Sequence, residues 1–340
     1  MCQKPLLGDE PVRPTEPGNP SFALVATDLG HVRRCTMTAA RWTEADIADQ
    51  SGRTALVTGA NSGIGFEAAR ALAQHGARVL LGCRDAHKAD GALARIREVA
   101  PDADVSILPL DLADLSSIRN AAGRVAADEG RLDLLINNAG VMALPKYETA
   151  DGFEMQFGTN HLGHFALTGL LLDILNATPG ARVVSVSSQG HRMGRINFDD
   201  LAGDRGYHRW LRYGQSKVAN LLFTFELQRR LERIGVSTMA VACHPGGSNT
   251  DLARDAGALM KLFQPMANLV MQPAAMGALP TLRAAADPAV KGAEYYGPDG
   301  FGQTTGYPVK VHSNAYSHRL DIATQLWLVS QQLTGVEYLD

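Results

Sequence analysis

The sequence predicts an α/β protein in which one parallel sheet is covered by helices on both faces, a doubly wound arrangement within a single domain. Three observations predict it. From Arg53 onward, short β-branched or apolar runs alternate with amphipathic stretches of helical length. The first run ends in a glycine-rich turn, Thr58-Gly59-Ala60-Asn61-Ser62-Gly63-Ile64-Gly65, which suits the close approach of a dinucleotide. Tyr213 and Lys217 stand one helical turn apart, placing a phenol and an ammonium on the same helix face.

Taken in order, strands are expected at Thr54–Thr58, Arg78–Cys83, Val105–Pro109, Leu132–Asn137, Arg182–Ser187, Val236–Cys243 and Glu294–Tyr296, seven in all. Their unbroken apolar character, as in Ala55-Leu56-Val57, marks strands buried on both faces. Helical patterns lie near 63–75, 86–99, 115–129, 152–176, 213–234 and 273–286, and right-handed crossovers should connect them to the strands. Residues 1–50 read differently, because Pro5, Pro11, Pro14, Pro17 and Pro20 interrupt any regular element. They are expected to be a disordered extension ahead of a domain over 51–340, with Met37 as the natural start. Insertions are expected near 190–212 and 247–276.

Composition narrows the function classes. A 340-residue chain that is 45% hydrophobic, with a net charge of −3 and no long basic run, points to small-molecule partners rather than nucleic acid. Cys2, Cys35, Cys83 and Cys243 have neither the close pairing of a disulfide framework nor metal-ligand spacing, so they read as reduced thiols and no metal is expected. No stretch has the length and apolarity of a membrane span, and a cytoplasmic location is the expectation.

The glycine-rich turn and the Tyr/Lys pair together imply hydride transfer. Gly59, Gly63 and Gly65 would line a diphosphate, with the first amides of the following helix turned to the anion. For a tyrosine to act as a base near neutrality its pKa must fall by roughly 3 units, about 4 kcal/mol. A lysine at about 4 Å supplies that only in a shielded cleft, where the effective dielectric is near 20. A serine after the fifth strand would polarise a carbonyl oxygen, and Val184-Ser185-Val186-Ser187-Ser188 offers three.

Thr58-Gly59-x-x-x-Gly63-x-Gly65, Asn137-Asn138-Ala139-Gly140 and Tyr213-x-x-x-Lys217 appear in the order and approximate spacing of the short-chain dehydrogenase/reductase family, which this sequence resembles over roughly residues 50–310. The resemblance implies a single-domain Rossmann fold with strand order 3-2-1-4-5-6-7 and an NAD(P)-dependent oxidoreductase. It makes Tyr213 the acid/base and Lys217 the residue that tunes it and binds the nicotinamide ribose. Ser188 is the matching serine, with Ser187 as runner-up, and Asn160 matches the asparagine that supports a water-borne proton relay.

The resemblance also implies that Gly59, Asn61, Ser62, Gly63, Ile64 and Gly65, then Asn138, Ala139 and Gly140, and finally Pro245, Gly246 and Thr250 contact the coenzyme. Asp111 and Leu112 match an adenine-contacting pair, although Asp111 is equally suited to cap the helix near Leu115. At the end of the second strand Cys83 takes the usual acidic site and Arg84 follows, which favours NADP over NAD. Asp85 faces the ribose or caps the next helix. His244 reads as a structural histidine with no catalytic part.

Residues 190–212 exceed the length found in the smallest relatives. With Tyr213-Gly214-Gln215-Ser216-Lys217-Val218-Ala219-Asn220 they are similar to the branch containing retinol dehydrogenases, WW-domain-containing oxidoreductases and light-dependent protochlorophyllide reductases. That branch implies bulky apolar alcohols or carbonyls, whereas Arg192, Arg195, Arg205, Arg209 and Arg212 make the insertion basic. Leu259–Met276 reads as an apolar lid or as a helix packed on the core. The resemblance implies a homodimer or homotetramer, often paired through the Tyr/Lys helix. The rival function is a coenzyme-binding sensor or scaffold without useful turnover.

Overall fold

The apolar run Thr54–Thr58 forms β1, buried along its whole length. In the computed structural model, which describes residues 41–247 and 271–340, it pairs in parallel with β2 (Arg78–Cys83) on one side and β4 (Leu134–Asn137) on the other. The other strands are β3 (Val105–Pro109), β5 (Arg182–Val186), β6 (Met239–Cys243), β7 (Tyr295–Pro298) and β8 (Pro308–Lys310). Their order across the sheet is β3-β2-β1-β4-β5-β6-β7-β8. The seven expected strands therefore appear in the expected order, and an eighth extends the edge antiparallel to β7 after a loop that carries a 3₁₀ turn at Phe301–Gln303.

Helices α1 (Gly63–Gln74) and α2 (Ala86–Val99) lie on one face of the sheet, together with α8 (Ala274–Ala286). On the other face are α3 (Leu115–Asp128), α5 (Gly163–Leu170), α6 (Leu172–Ala177) and α7 (Arg209–Ile234). The helix expected over 152–176 is interrupted. A short α4 (Met155–Phe157) runs into a π-helical turn at Gly158–Leu162 before α5 begins, and Leu171 separates α5 from α6. Thr250 and most of the expected lid lie outside the described residues, as do residues 1–40 with Met37.

Two findings depart from the sequence reading. Residues 41–50, expected within a disordered extension, pack on the domain: Trp42 and Ile47 enter the core beside α1, and Arg70 of α1 pairs with Glu44 at 2.7 Å. The second is a C-terminal helix, α9 (Leu320–Thr334), which lies across α5 and α7. Trp327 stacks on Phe223 with centroids 5.9 Å apart and meets Phe165 edge-on at 5.1 Å. The Arg230 guanidinium sits over its other side at 4.5 Å. The helix carrying Tyr213 and Lys217 is thus covered by the chain's own C-terminus.

Because Trp327 is enclosed on every side, its removal leaves a cavity that the rings around it cannot fill. Trp327→Ala is expected to lower unfolding stability by about 3–5 kcal/mol in urea denaturation. A loss under ~1 kcal/mol would show that α9 is not docked as described.

Candidate active site

At the carboxyl ends of β1, β4, β5 and β6 the sheet opens into a cleft of about 480 Å³. Its lining includes Gly59, Asn61, Ser62, Gly63, Ile64 and Gly65 from the glycine-rich turn, Asn138, Ala139 and Gly140 after β4, and Ser188, Tyr213, Lys217, Pro245 and Gly246 at the far end. Arg84, Asp111 and Leu112 line the opposite end. Asn160 sits behind the wall and is fully buried.

The turn between β1 and α1 is built for an anion. Where Asp85 caps α2 and Asp114 caps α3 with their carboxylates, the Ser62 side chain makes no such bond at α1. The first amides of α1 therefore face the cleft uncapped. Gly65 is required by close approach: a Cβ there would fall on Asn138 Nδ2 and on the Gly59 carbonyl oxygen. The cradle fits a dinucleotide diphosphate.

A hydroxyl knot fixes that turn. Thr58 Oγ1 accepts the amides of Asn138 (2.9 Å) and Ala139 (3.0 Å), and Asn138 Nδ2 donates to the Thr58 carbonyl at 2.9 Å. His164 Nδ1 donates to the Asn160 carbonyl at 3.0 Å, leaving Nε2 to accept the Thr58 hydroxyl at 3.0 Å. Asn160 lies in the π-helical turn and spends its side chain on neighbours. It accepts the Val141 amide (2.8 Å) and donates to the Val141 carbonyl and to Ser216 Oγ, each at 2.9 Å.

The reactive end is dry. Tyr213 and Lys217 are both buried, with Lys217 Nζ 5.8 Å from the Tyr213 ring centre and donating to the Val186 carbonyl at 3.2 Å. Burial drives the Lys217 ammonium down to about 8. It also pushes the Tyr213 phenol above its ordinary value, against which a hydrogen bond with Ser188 acts. The expected depression of the tyrosine is therefore absent here, because desolvation outweighs the hydrogen bond with Ser188. Ser188 Oγ accepts the Gly190 amide at 3.1 Å, and a Cβ on Gly190 would press on the Tyr213 ring at 3.0 Å. Ser187 also lines the cleft but donates to the Lys217 carbonyl at 2.8 Å, which ties β5 to α7. Ser185 is buried on β5.

At the adenosine end Cys83 lies beneath the turn, its thiol raised to about 11 by burial and approached by the Ala60 and Asn61 amides. Arg84 is 70% exposed and its Nε is 3.9 Å from Asp111. Asp85 caps α2 by accepting the Lys88 amide at 3.1 Å, so of its two expected roles the cap is the one seen. Asp111 does not cap α3, a place taken by Asp114. Lys88 joins the lining as a second cation that the sequence reading did not single out. Its signal was available: three residues after a capping aspartate, it falls in the first turn of α2.

The substrate side is less polar than the insertion's composition suggests. Arg212 forms a buried pair with Asp200 at 2.9 Å, and Arg195 lies over the Tyr316 ring at 4.6 Å. Met142, Leu144 and Met271 line the cleft instead. Among the described residues no group of His, Cys, Asp and Glu has the arrangement of a metal site, and no helix is long and apolar enough to cross a membrane.

The comparisons with known proteins agree with this fold. Residues 53–260 match the family model described as short chain dehydrogenase. The chain is 42% identical over 294 residues to human retinol dehydrogenase 13, covering 84% of this chain and 86% of that protein. It is 50% identical over 213 residues to mouse retinol dehydrogenase 11, covering 63% and 67%. An uncharacterised protein from Mycobacterium paratuberculosis has a solved structure that superposes with a TM-score of 0.74 at 42% identity, covering 88% of this chain and 99% of that one.

Four buried histidines make the region acid-sensitive, and His191 is lowered by burial like the other three. Burial drives His161 down to about 3, and His164 and His244 to about 4. In the unfolded chain each takes a proton near 6.5. The unfolded state then binds more protons below that value, so their contribution is complete above about pH 6.5 and is lost as pH falls towards 4. The urea midpoint should fall between pH 7 and pH 5, and His164→Gln should flatten that fall; a midpoint indifferent to pH would contradict it.

Proposed function

The chain belongs to the short-chain dehydrogenase family and is an oxidoreductase acting on CH–OH or C=O groups; from that premise we propose that it is an NADP-preferring enzyme for apolar alcohols and their aldehydes or ketones. The observation that carries the reading is one continuous cleft whose lining runs from Arg84 and Lys88 to Ser188, Tyr213 and Lys217. The apolar lining by Met142, Leu144 and Met271 supports an apolar substrate, as does similarity to proteins named retinol dehydrogenases.

Gly59 to Gly65 would hold the diphosphate, Arg84 and Lys88 the 2′-phosphate, Asp111 and Leu112 the adenine, and Pro245, Gly246 and Thr250 the nicotinamide side. The bound nicotinamide supplies or accepts the hydride. Ser188 donates to the substrate oxygen as charge develops on it. Tyr213, held in its protonated form by burial, gives a proton to that oxygen in reduction and takes it back in oxidation. Lys217 binds the nicotinamide ribose and favours the phenolate. Asn160 would support a water-borne proton relay from Lys217 to solvent.

Tyr213→Phe is expected to lower kcat by roughly 10²–10⁴-fold while NADPH binding is retained. Unchanged turnover would eliminate this mechanism, and a coenzyme-binding sensor without turnover would show no rate in the wild type either. For the coenzyme, joint replacement of Arg84 and Lys88 by Ala should raise the KM for NADPH by roughly 10- to 100-fold and leave that for NADH nearly unchanged. Steady-state kinetics with both coenzymes decides it, and equal effects on the two would remove the 2′-phosphate role.

A further inference from the structure

Behind the reactive end, five residues from three segments form a hydrogen-bond chain whose donors and acceptors are all fixed. The Gly246 amide donates to His244 Nδ1 at 3.2 Å, so the imidazole proton sits on Nε2 and is given to Gln303 Oε1 at 3.2 Å. From the other side Arg192 Nε, which can only donate, binds Gln189 Oε1 at 2.7 Å. That turns the Gln189 amide nitrogen to the same Gln303 oxygen at 2.9 Å. One carboxamide oxygen thereby joins the residue after Ser188 to the residue before Pro245.

Gln303 adopts this place at a cost. Its φ of +57° lies in the left-handed region, which a residue with a Cβ rarely enters. Such outliers persist where surrounding contacts over-determine them, and they gather at functional sites. No apolar anchor explains the loop: its tip residue, Phe301, is 99% exposed. The loop is tied inward by polar contacts alone around that tip, with the Gly247 amide donating to the Thr304 carbonyl at 2.7 Å and the Gly306 amide to Gln272 Oε1 at 3.0 Å.

We propose that Gln303 is a positioning residue: its carboxamide oxygen straps the loop carrying Ser188 to the Pro245–Gly246 turn and so fixes the gap between the polarising hydroxyl and the nicotinamide side. The inference rests on the oxidoreductase reading above for its kinetic consequence, but not for the strap itself. His244, which the sequence presents as a structural histidine, acts through Gln303 and touches no reacting atom.

Two near-isosteric substitutions separate the strap from mere packing. Gln303→Met keeps the volume and the backbone strain but removes the acceptor, whereas Gln303→Glu keeps an oxygen able to accept both bonds. Gln303→Met should lower kcat by roughly 10- to 100-fold with an unchanged melting temperature and NADPH dissociation constant, and Gln303→Glu should recover most of the rate. Independently of turnover, ¹⁵N–¹H spectra of the histidine rings should place the His244 proton on Nε2 in the wild type and in Gln303→Glu. In Gln303→Met that proton's resonance should move upfield for want of an acceptor. A Gln303→Met enzyme as fast as wild type, or an unmoved His244 resonance, would overturn the proposal. Were no variant or wild-type protein to turn over any carbonyl, the oxidoreductase reading would fall and the spectra alone would judge the strap.

Discussion

The Thr58 hydroxyl is the contact on which the site's geometry depends. It accepts two amides from the loop after β4 and donates to His164, which in turn donates to the Asn160 carbonyl. Asn160 then reaches Val141 and, through Ser216, the helix that carries Tyr213 and Lys217. Four segments far apart in sequence are thus brought to a common register by one buried oxygen and one buried imidazole. The links through His164 and Ser216 lie in the buried interior, where an unmade hydrogen bond costs roughly 1–3 kcal/mol. The glycine-rich turn is therefore tied to the helix that carries Tyr213 and Lys217, and the π turn around Asn160 sits at the junction of these bonds.

How much of this was legible in the chain depends on the range over which each signal acts. Strand positions were readable to within a few residues, because burial on both faces demands unbroken apolar runs such as Ala55-Leu56-Val57. The glycine-rich turn, Asn138-Ala139-Gly140 and the Tyr213/Lys217 pair were readable because each is a local motif. The edge strand β8 was not, since three residues beginning with Pro308 carry no periodicity and are recruited by the hairpin from β7. Neither was the register of α5 within its long apolar pattern, for the π turn answers to long-range bonds from Asn160. Lys88 and Gln303 read as ordinary polar residues, and only the three-dimensional arrangement puts one in the cleft and the other between two loops.

The insertion between Ser188 and Tyr213 shows how composition misleads when partners are unknown. Five arginines there suggest a charged rim. Yet Arg212 satisfies Asp200 in the interior, Arg195 lies on Tyr316, and Arg192 orients Gln189. Arg212, the buried one of the three, fixes the approach to α7 rather than greeting a ligand, since stripping its water is tolerable only when it is paired. Arg192, Arg195 and Arg205 stay exposed, while Met142, Leu144 and Met271 are the side chains that line the cleft.

The electrostatics of the pair then favour one protonation state. At the 5.8 Å separating Lys217 Nζ from the Tyr213 ring centre, attraction to a phenolate is about 3 kcal/mol at an effective dielectric near 20, and under 1 kcal/mol in water. Burial disfavours both charges at once, raising the tyrosine and lowering the lysine. A neutral phenol beside a lysine near 8 is a proton donor in waiting, the state that carbonyl reduction needs. Alcohol oxidation asks the opposite of Tyr213, and the extra stabilisation of its phenolate must come from a further positive charge brought to the same dry pocket. Burial and a neighbouring positive charge thus pull the phenol in opposite directions within one pocket.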